Sequence, residues 1–281
     1  MLAQELLRAG NLDEALAELK RQVQSEPADG KLRVFLFQLL TVLGKWESAS
    51  SQLEIAGQLD AGNLAMVQAY REAIRCEIDR RRVFLGETAP MIFGEPDRWL
   101  ALLIESIRTQ SSDLRDQAFE AAPTTSGVLQ RRDQPANEFE WIADADPRLG
   151  PVLEALIEGQ YYWVPFNRIA QIDIEAPTDL RDFVWTPAHF VWSNGGESYG
   201  MIPTRYPGSE AVEDNAIRLS RKTEWNAIGD NDDQYVGLGQ RMFATDGDEF
   251  AIHEISKISL QSECDGPDQA EVAFEGTATS D

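Results

Sequence analysis

Displaced by 34 residues, the first third of this sequence falls on itself. Leu6 meets Leu40, Gly10 meets Gly44, Leu12 meets Trp46, Ala15 meets Ala49 and Leu19 meets Leu53. A unit this short cannot bury its own apolar face, so the repeat demands stacked supersecondary units. The matched positions define the unit as a helical hairpin. Gly10 and Gly44 suit the positive φ that ends a helix. Leu12 and Trp46 fill the bend, and Ala15 and Ala49 let two helices approach closely. Pro27 stops the second helix of the first hairpin. Asp60, Ala61, Gly62 and Asn63 supply turn chemistry at the equivalent point of the second.

Residues 11–25 carry Leu12, Ala15, Leu16, Leu19 and Val23 on one helical face. Residues 31–43 are apolar on most sides, as in a helix packed between neighbours. A third helix over 63–84 would cap the stack, with Arg71, Arg75, Arg80, Arg81 and Arg82 outermost. The period and the small-residue positions resemble tetratricopeptide repeats. Such helices offer stripes for a partner. Lys31, Val34, Gln38 and Thr41 share one stripe, and Ala65, Gln68, Glu72 and Arg75 share the next. An amphipathic helix from another protein would lie across them.

Charge separates this third from the rest. Of the net −23, residues 1–86 carry −1, residues 87–225 carry −11 and residues 226–281 carry −11. So acidic a chain is poorly suited to nucleic acid or anionic lipid, whose phosphates demand Lys and Arg. DNA binding by Arg80–Arg82 is therefore not expected. At 281 residues there is room for two cores. Two cysteines, Cys76 and Cys264, without metal-ligand spacing fit a reduced, cytoplasmic compartment. The N-terminus lacks the basic and apolar regions of a signal peptide, and no apolar run matches a membrane span.

Gly86, Pro90, Gly94 and Pro96 punctuate the end of the stack. Asp97 then opens a helical stretch reaching about Ala121. Past residue 138 the period becomes two. Phe139 and Trp141 alternate with acidic residues, and Ala170, Ile172 and Ile174 alternate likewise. Phe183–Trp185 and Phe190–Trp192 are short β-prone runs either side of Pro187, and Asn194-Gly195-Gly196 is a hairpin turn. Phe250, Ile252, Ser256, Ile258 and Leu260 suggest a later strand. Val152, Leu153, Leu156 and Ile157 follow Pro151 and suggest one helix over 151–158. The expected class is α+β. Tetratricopeptide-like hairpins and connector helices occupy 1–122. A mainly antiparallel, barrel-like β domain with one or two helices occupies 136–262. An acidic, mobile tail occupies 263–281.

Several stretches of the β half resemble the ImpE/TagJ family. They are Phe139–Pro151 (FEWIADADPRLGP), Tyr161–Phe166 (YYWVPF), Leu180–Trp185 (LRDFVW), Ile202–Gly208 (IPTRYPG) and Arg221–Trp225 (RKTEW). The resemblance extends over nearly the whole chain. It implies a cytoplasmic, non-catalytic accessory factor of bacterial type VI secretion, with neither catalytic residues nor cofactors. The implied partners are the small subunit of the contractile sheath (TssB) and the AAA+ ATPase that recycles the sheath (ClpV).

The residues themselves leave other chemistry to weigh. Asp144, Asp146, Glu154 and Glu158 offer paired carboxylates for acid/base work near Arg205. Their plainer reading is a turn followed by a solvated helix face. Asp230–Asp233 and Asp246–Asp248 resemble calcium loops, yet counting from Asp230 puts Tyr235 at position six and Arg241 at position twelve, where Gly and Glu are needed. His189 and His253 lack a Gly-x-Ser-x-Gly elbow to serve. No Gly-rich phosphate loop is present. Trp141, Trp163, Trp185, Trp192 and Trp225 read as packing before recognition. Arg181, Arg205, Arg221 and Lys222 read as internal ion pairs before capture of an acidic partner. A protein-binding adaptor is the leading expectation. A generic repeat scaffold and a carboxylate-dependent hydrolase are the alternatives.

Overall fold

Helices dominate the chain as far as Ala121 in the computed structural model, which describes residues 2–227 and 235–261. They are α1 (Leu2–Arg8), α2 (Leu12–Ser25), α3 (Gly30–Val42), α4 (Trp46–Leu59), α5 (Leu64–Phe84), α6 (Arg98–Thr109) and α7 (Ser112–Ala121). α1–α2 and α3–α4 are the two repeat hairpins. Gly10 and Gly44 sit at φ +83° and +64°, the conformation required beyond a helix C-terminus. α2 ends at Ser25, two residues before Pro27. Asp29 caps α3 by accepting from the Lys31 and Leu32 amides. The helical stretch expected from Asp97 to about Ala121 is two helices. Gln110 adopts φ +53° and breaks it, and the Ser111 hydroxyl caps α7.

The β half contributes β1 (Met91–Ile92), β2 (Gly127–Arg131), β3 (Asn137–Phe139), β4 (Ile142–Asp144), β5 (Val152–Ile157), β6 (Gln160–Pro165) and β7 (Ile169–Ile174). Beyond these lie β8 (Trp185–Trp192), β9 (Glu197–Pro203), α8 (Asn215–Arg218), β10 (Thr223–Ala227), β11 (Tyr235–Gly239), β12 (Met242–Thr245), β13 (Glu249–Ala251) and β14 (Ile255–Leu260). Nine strands form one sheet in the order β1-β6-β5-β9-β8-β7-β14-β2-β3, parallel only at β1–β6. β13-β12-β4 form a second sheet and β10–β11 a ribbon. The class is α+β with a mostly antiparallel sheet. That sheet is open, with β1 and β3 as edges, so barrel closure does not occur.

Residues 151–158 are not a helix. β5 pairs with both β6 and β9, and all six of its residues are buried. Both faces of this strand are covered, so the period-two signal vanishes and the run reads as helical. Val152 and Leu156 pack with Trp163 and Trp185 under the helices, whereas Leu153, Ala155 and Ile157 face a second core with Phe166, Phe190 and Phe243. Two other alternations are interrupted. Trp141 lies between β3 and β4, which belong to different sheets. A bulge between Ile169 and Gln171 makes Ile169, rather than Ala170, the buried partner of Ile172. Pro187 sits inside β8 rather than between two strands, just past the last β7 pair at Ala188. The suggested strand over 250–260 divides at a 3₁₀ turn, Ile252–Glu254, into β13 and β14. Residues 230–233 and the expected tail over 263–281 lie outside the described residues.

Candidate functional site

The segment after β9 joins the two halves. Arg205 donates to the carbonyls of Thr41 (3.0 Å) and Val42 (2.7 Å) at the end of α3, and to that of Arg218 (2.7 Å). A helix C-terminus leaves carbonyls orphaned and carries negative partial charge, and a buried guanidinium answers both. Asn215 donates to Gly10 O at 2.7 Å, in the bend of the first hairpin. Glu210 packs on Gly44 in the bend of the second, where an added Cβ would lie 2.5 Å from its Cγ. One loop of the β half therefore touches both repeat bends.

A buried ionic seam lies beside it. Arg80 on α5 donates from Nε and Nη2 to Glu154 on β5, at 2.6 and 2.8 Å, and from Nη2 to Arg205 O at 2.9 Å. Arg241 bridges Glu154 and Asp144 and donates to Pro203 O at 2.8 Å. Tyr161 donates to Glu154 at 2.5 Å and accepts from Trp163 Nε1 at 2.7 Å. Tyr206 donates to Asp144 at 3.1 Å. Asp146 accepts from Arg148 Nη2 (2.5 Å) and from the Gly237 amide (2.9 Å). Glu77 accepts from Trp185 Nε1 at 3.0 Å and lies 3.5 Å from Arg80.

The carboxyls of the seam respond in opposite directions. Burial raises Asp144 to about 7, with Asp146 beside it adding to the rise and Arg241 opposing it. Burial also penalises the Glu154 anion, but Arg80 and Arg241 together overcome it and hold that carboxyl at about 2. Two guanidiniums against one account for the difference. Burial pushes Glu77 up as well, against the pull of Arg80.

The structure separates these carboxylates: Glu158 is exposed in the β5–β6 turn, and the other three are not. Asp144, Asp146 and Glu154 are at most 2% exposed, so they are no solvated turn or helix face. Their oxygens are occupied by guanidiniums, Tyr hydroxyls and amides, and Arg205 points away toward the end of α3. Among the described residues, their contacts make a structural joint between α5 and the sheet. Arg80, expected on the outer face of α5, is buried, while Arg71, Arg75, Arg81 and Arg82 are exposed. The expectation of internal pairing holds for Arg181 with Asp179 (2.7 Å) and Lys222 with Asp214 (2.7 Å). Arg205 uses carbonyls instead, and Arg221 is exposed.

The predicted stripes do not form one groove. Lys31, Val34 and Gln38 line a cleft of about 800 Å³ with Phe35, Leu59 and Asn63. Thr41 is fully buried, its carbonyl taken by Arg205, and does not reach the cleft. Gln68 donates to Glu72, and Glu72 packs against Gly159 in the β5–β6 turn. Arg75 donates to Gly159 O at 2.7 Å and borders a different hollow, between α4 and α5. The sequence placed these stripes side by side because it could not foresee the β5–β6 turn reaching α5.

The remaining candidates separate. Trp163 and Trp185 lie under the helices and Trp192 in the second core, while Trp141 and Trp225 are exposed. His189 stacks on Tyr199 at 4.5 Å with Asp173 and Glu197 near its nitrogens. His253 is half-buried against Phe183, and its partial burial lowers its pKa. Among the described residues, no cluster of three or more His, Cys, Asp or Glu is placed to hold a metal ion. Within the same residues, no helix is long and apolar enough to cross a membrane.

These features define a class: a tetratricopeptide-like helical module locked onto an open antiparallel sheet by a buried joint. Residues 6–74 match the tetratricopeptide repeat family, and residues 136–259 match the family described as ImpE protein. The chain is 44% identical to the type VI secretion system accessory component TagJ of Pseudomonas aeruginosa, across 93% of this chain and 92% of that protein. A crystal structure of a Vibrio parahaemolyticus protein superposes with a TM-score of 0.82 at 26% identity, covering 94% of this chain and 98% of the other. The chain belongs to the ImpE/TagJ family.

Proposed function

We propose that this chain is a non-catalytic accessory component of type VI secretion, acting in the cytoplasm as a protein-binding adaptor. The observation that carries the proposal is the likeness to TagJ, which runs through both the helical and the β halves. The partner in this reading is the small subunit of the contractile sheath, engaged through a helical segment. Binding would alter access of the AAA+ ATPase that recycles the sheath. The units of 1–122 and 136–262 act together, because the α5–β5 seam and the Arg205 cap tie them into one body. Neither nucleic acid nor membrane is a partner in this reading, in keeping with the net charge of −23. Lys31, Val34 and Gln38 in the α3 cleft, and Arg75 beside α4, are the proposed contact residues. Thr41 is fully buried and drops out, while Gln68 and Glu72 remain contact residues beside Arg75.

Titration calorimetry of the full chain with the purified small sheath subunit, and with a peptide of its N-terminal helix, tests the proposal. Binding to both is expected, and Lys31→Glu should weaken it. No heat of binding at about tens of micromolar, roughly −6 to −7 kcal/mol, would count against the adaptor.

A further inference from the structure

The hollow between α4 and α5 has a chemistry of its own. It holds about 760 Å³, with Trp46, Ile74 and Ile78 on its floor. Arg71, Arg75, Arg81 and Glu77 line its α5 side, and Lys45, Glu47 and Glu54 its α4 side. Past Arg81 it continues into a second hollow of about 320 Å³, bordered by Phe84, Leu85 and Pro207. The two share Trp46, Glu77 and Arg81, so they form one trough. Ile78 is 51% and Leu85 61% exposed along it. From Arg71 to Leu85 the trough follows about 21 Å of helix, at 1.5 Å per residue.

Its charge runs against that of the chain. The whole protein carries −23, yet Arg71, Arg75, Arg81 and Arg82 are exposed on this one helix. Among the described residues, Arg71 and Arg81 have no carboxylate within ion-pair distance. At physiological salt, fields fade over about 8 Å, so a bound segment would sense the trough's own charges, Lys45, Arg71, Arg75 and Arg81 against Glu47, Glu54 and Glu77, before the acids elsewhere in the chain. The backbones flanking the trough are helical and hydrogen-bonded to themselves. An extended peptide would find no main-chain partners there, whereas a helix brings its own.

We infer that the α4–α5 trough docks an amphipathic helix of about four turns from a protein partner, apolar toward Ile78 and Leu85 and acidic toward Arg71 and Arg81. The inference deepens the adaptor reading, on which it rests for the partner being a protein. It places the main contact on α4–α5 rather than in the α3 cleft, where Lys31 is the sole cation on a largely polar lining.

Fluorescence anisotropy with the full chain and two labelled synthetic peptides tests it. Both peptides carry Leu at i, i+3, i+4, i+7 spacing over about 15 residues. One has Glu flanking the apolar face and the other Lys at the same places. The Glu peptide should bind at least about tenfold tighter than the Lys peptide, and added salt should weaken it. The R71E/R81E double variant should reverse the preference, and I78E should weaken both peptides. Equal affinity for the two peptides would overturn the inference, as would a preference untouched by R71E/R81E or no binding of the Glu peptide at about 200 µM. Titrating the small sheath subunit in parallel separates the two claims. A subunit that binds the wild type and R71E/R81E equally sinks the trough and leaves the adaptor standing. A Glu peptide that binds as described, beside a subunit that does not, leaves the trough standing and removes that partner.

Discussion

In the seam between α5 and β5, Arg80 and Arg241 close on Glu154 from two sides, all three at most 3% exposed. In the α3 cleft, Lys31 stands exposed over Val34 and Gln38. Both regions carry ionisable residues, but their energetics differ in kind. A buried charge whose partner is removed has nowhere to turn, so the seam converts charge into dependence of each half on the other. A solvated charge costs little to hold or to change, so the cleft can present charge to another molecule. The charges most suggestive of chemistry in the sequence thus serve architecture, and the inconspicuous ones remain available for binding.

Glu154→Ala breaks the seam most directly. It leaves two guanidiniums buried and should lower unfolding free energy by about 3–5 kcal/mol in urea titration, whereas Lys31→Glu should stay within about 0.5 kcal/mol. A Glu154→Ala loss below about 1 kcal/mol would mean that water enters the seam and that the contrast is false. Next in size is Arg205→Ala, which strips three carbonyls of their donor. A loss of about 2–3 kcal/mol is expected, with faster hydrogen exchange in the last turn of α3. Unchanged exchange there would show that the cap is not what holds α3 to the β half.

The pH dependence sharpens the same contrast. Asp144 is raised in the folded state to about 7, so its contribution is full below its unfolded value and fades as pH rises through 7. Glu154 is lowered to about 2, so its contribution is full above its unfolded value and fades as pH falls toward 2. Thermal unfolding should therefore peak on the acid side of neutrality and decline toward pH 8, by about 2 kcal/mol. Asp144→Asn should flatten most of that decline, leaving a remnant from Glu77, whose carboxyl is also raised. The smallest expected effect compares the two repeat bends. Gly10→Ala meets only the cost of positive φ, about 1 kcal/mol, because no atom lies within 4 Å of the new Cβ. Gly44→Ala meets the same cost and a clash with Glu210, so calorimetry should find it worse by about 1 kcal/mol.

The helical hairpins were legible because their determinants are local. A helix reports itself through residues three and four apart, and its end through one glycine, so the 34-residue shift sufficed to place α1–α4. β5 was illegible for the converse reason. Its sequence, Val-Leu-Glu-Ala-Leu-Ile, alternates for two cores at once, and only the neighbours on either face reveal it as a strand. The candidate site was half legible. Three residues of the α3 stripe do share a cleft, but the second stripe turned out to border the β5–β6 turn.

The sequence by itself determined the repeat, the helical ends, the charge division and the family, since each rests on residue identity and short spacing. Tertiary structure alone decided which charges are spent and which remain. Arg80 and Arg81 are chemically equivalent neighbours, yet a rotation of about 100° per residue turns one into the seam toward Glu154 and the other onto the trough. That choice depends on a partner 74 positions along the chain, and no local pattern encodes a contact so distant.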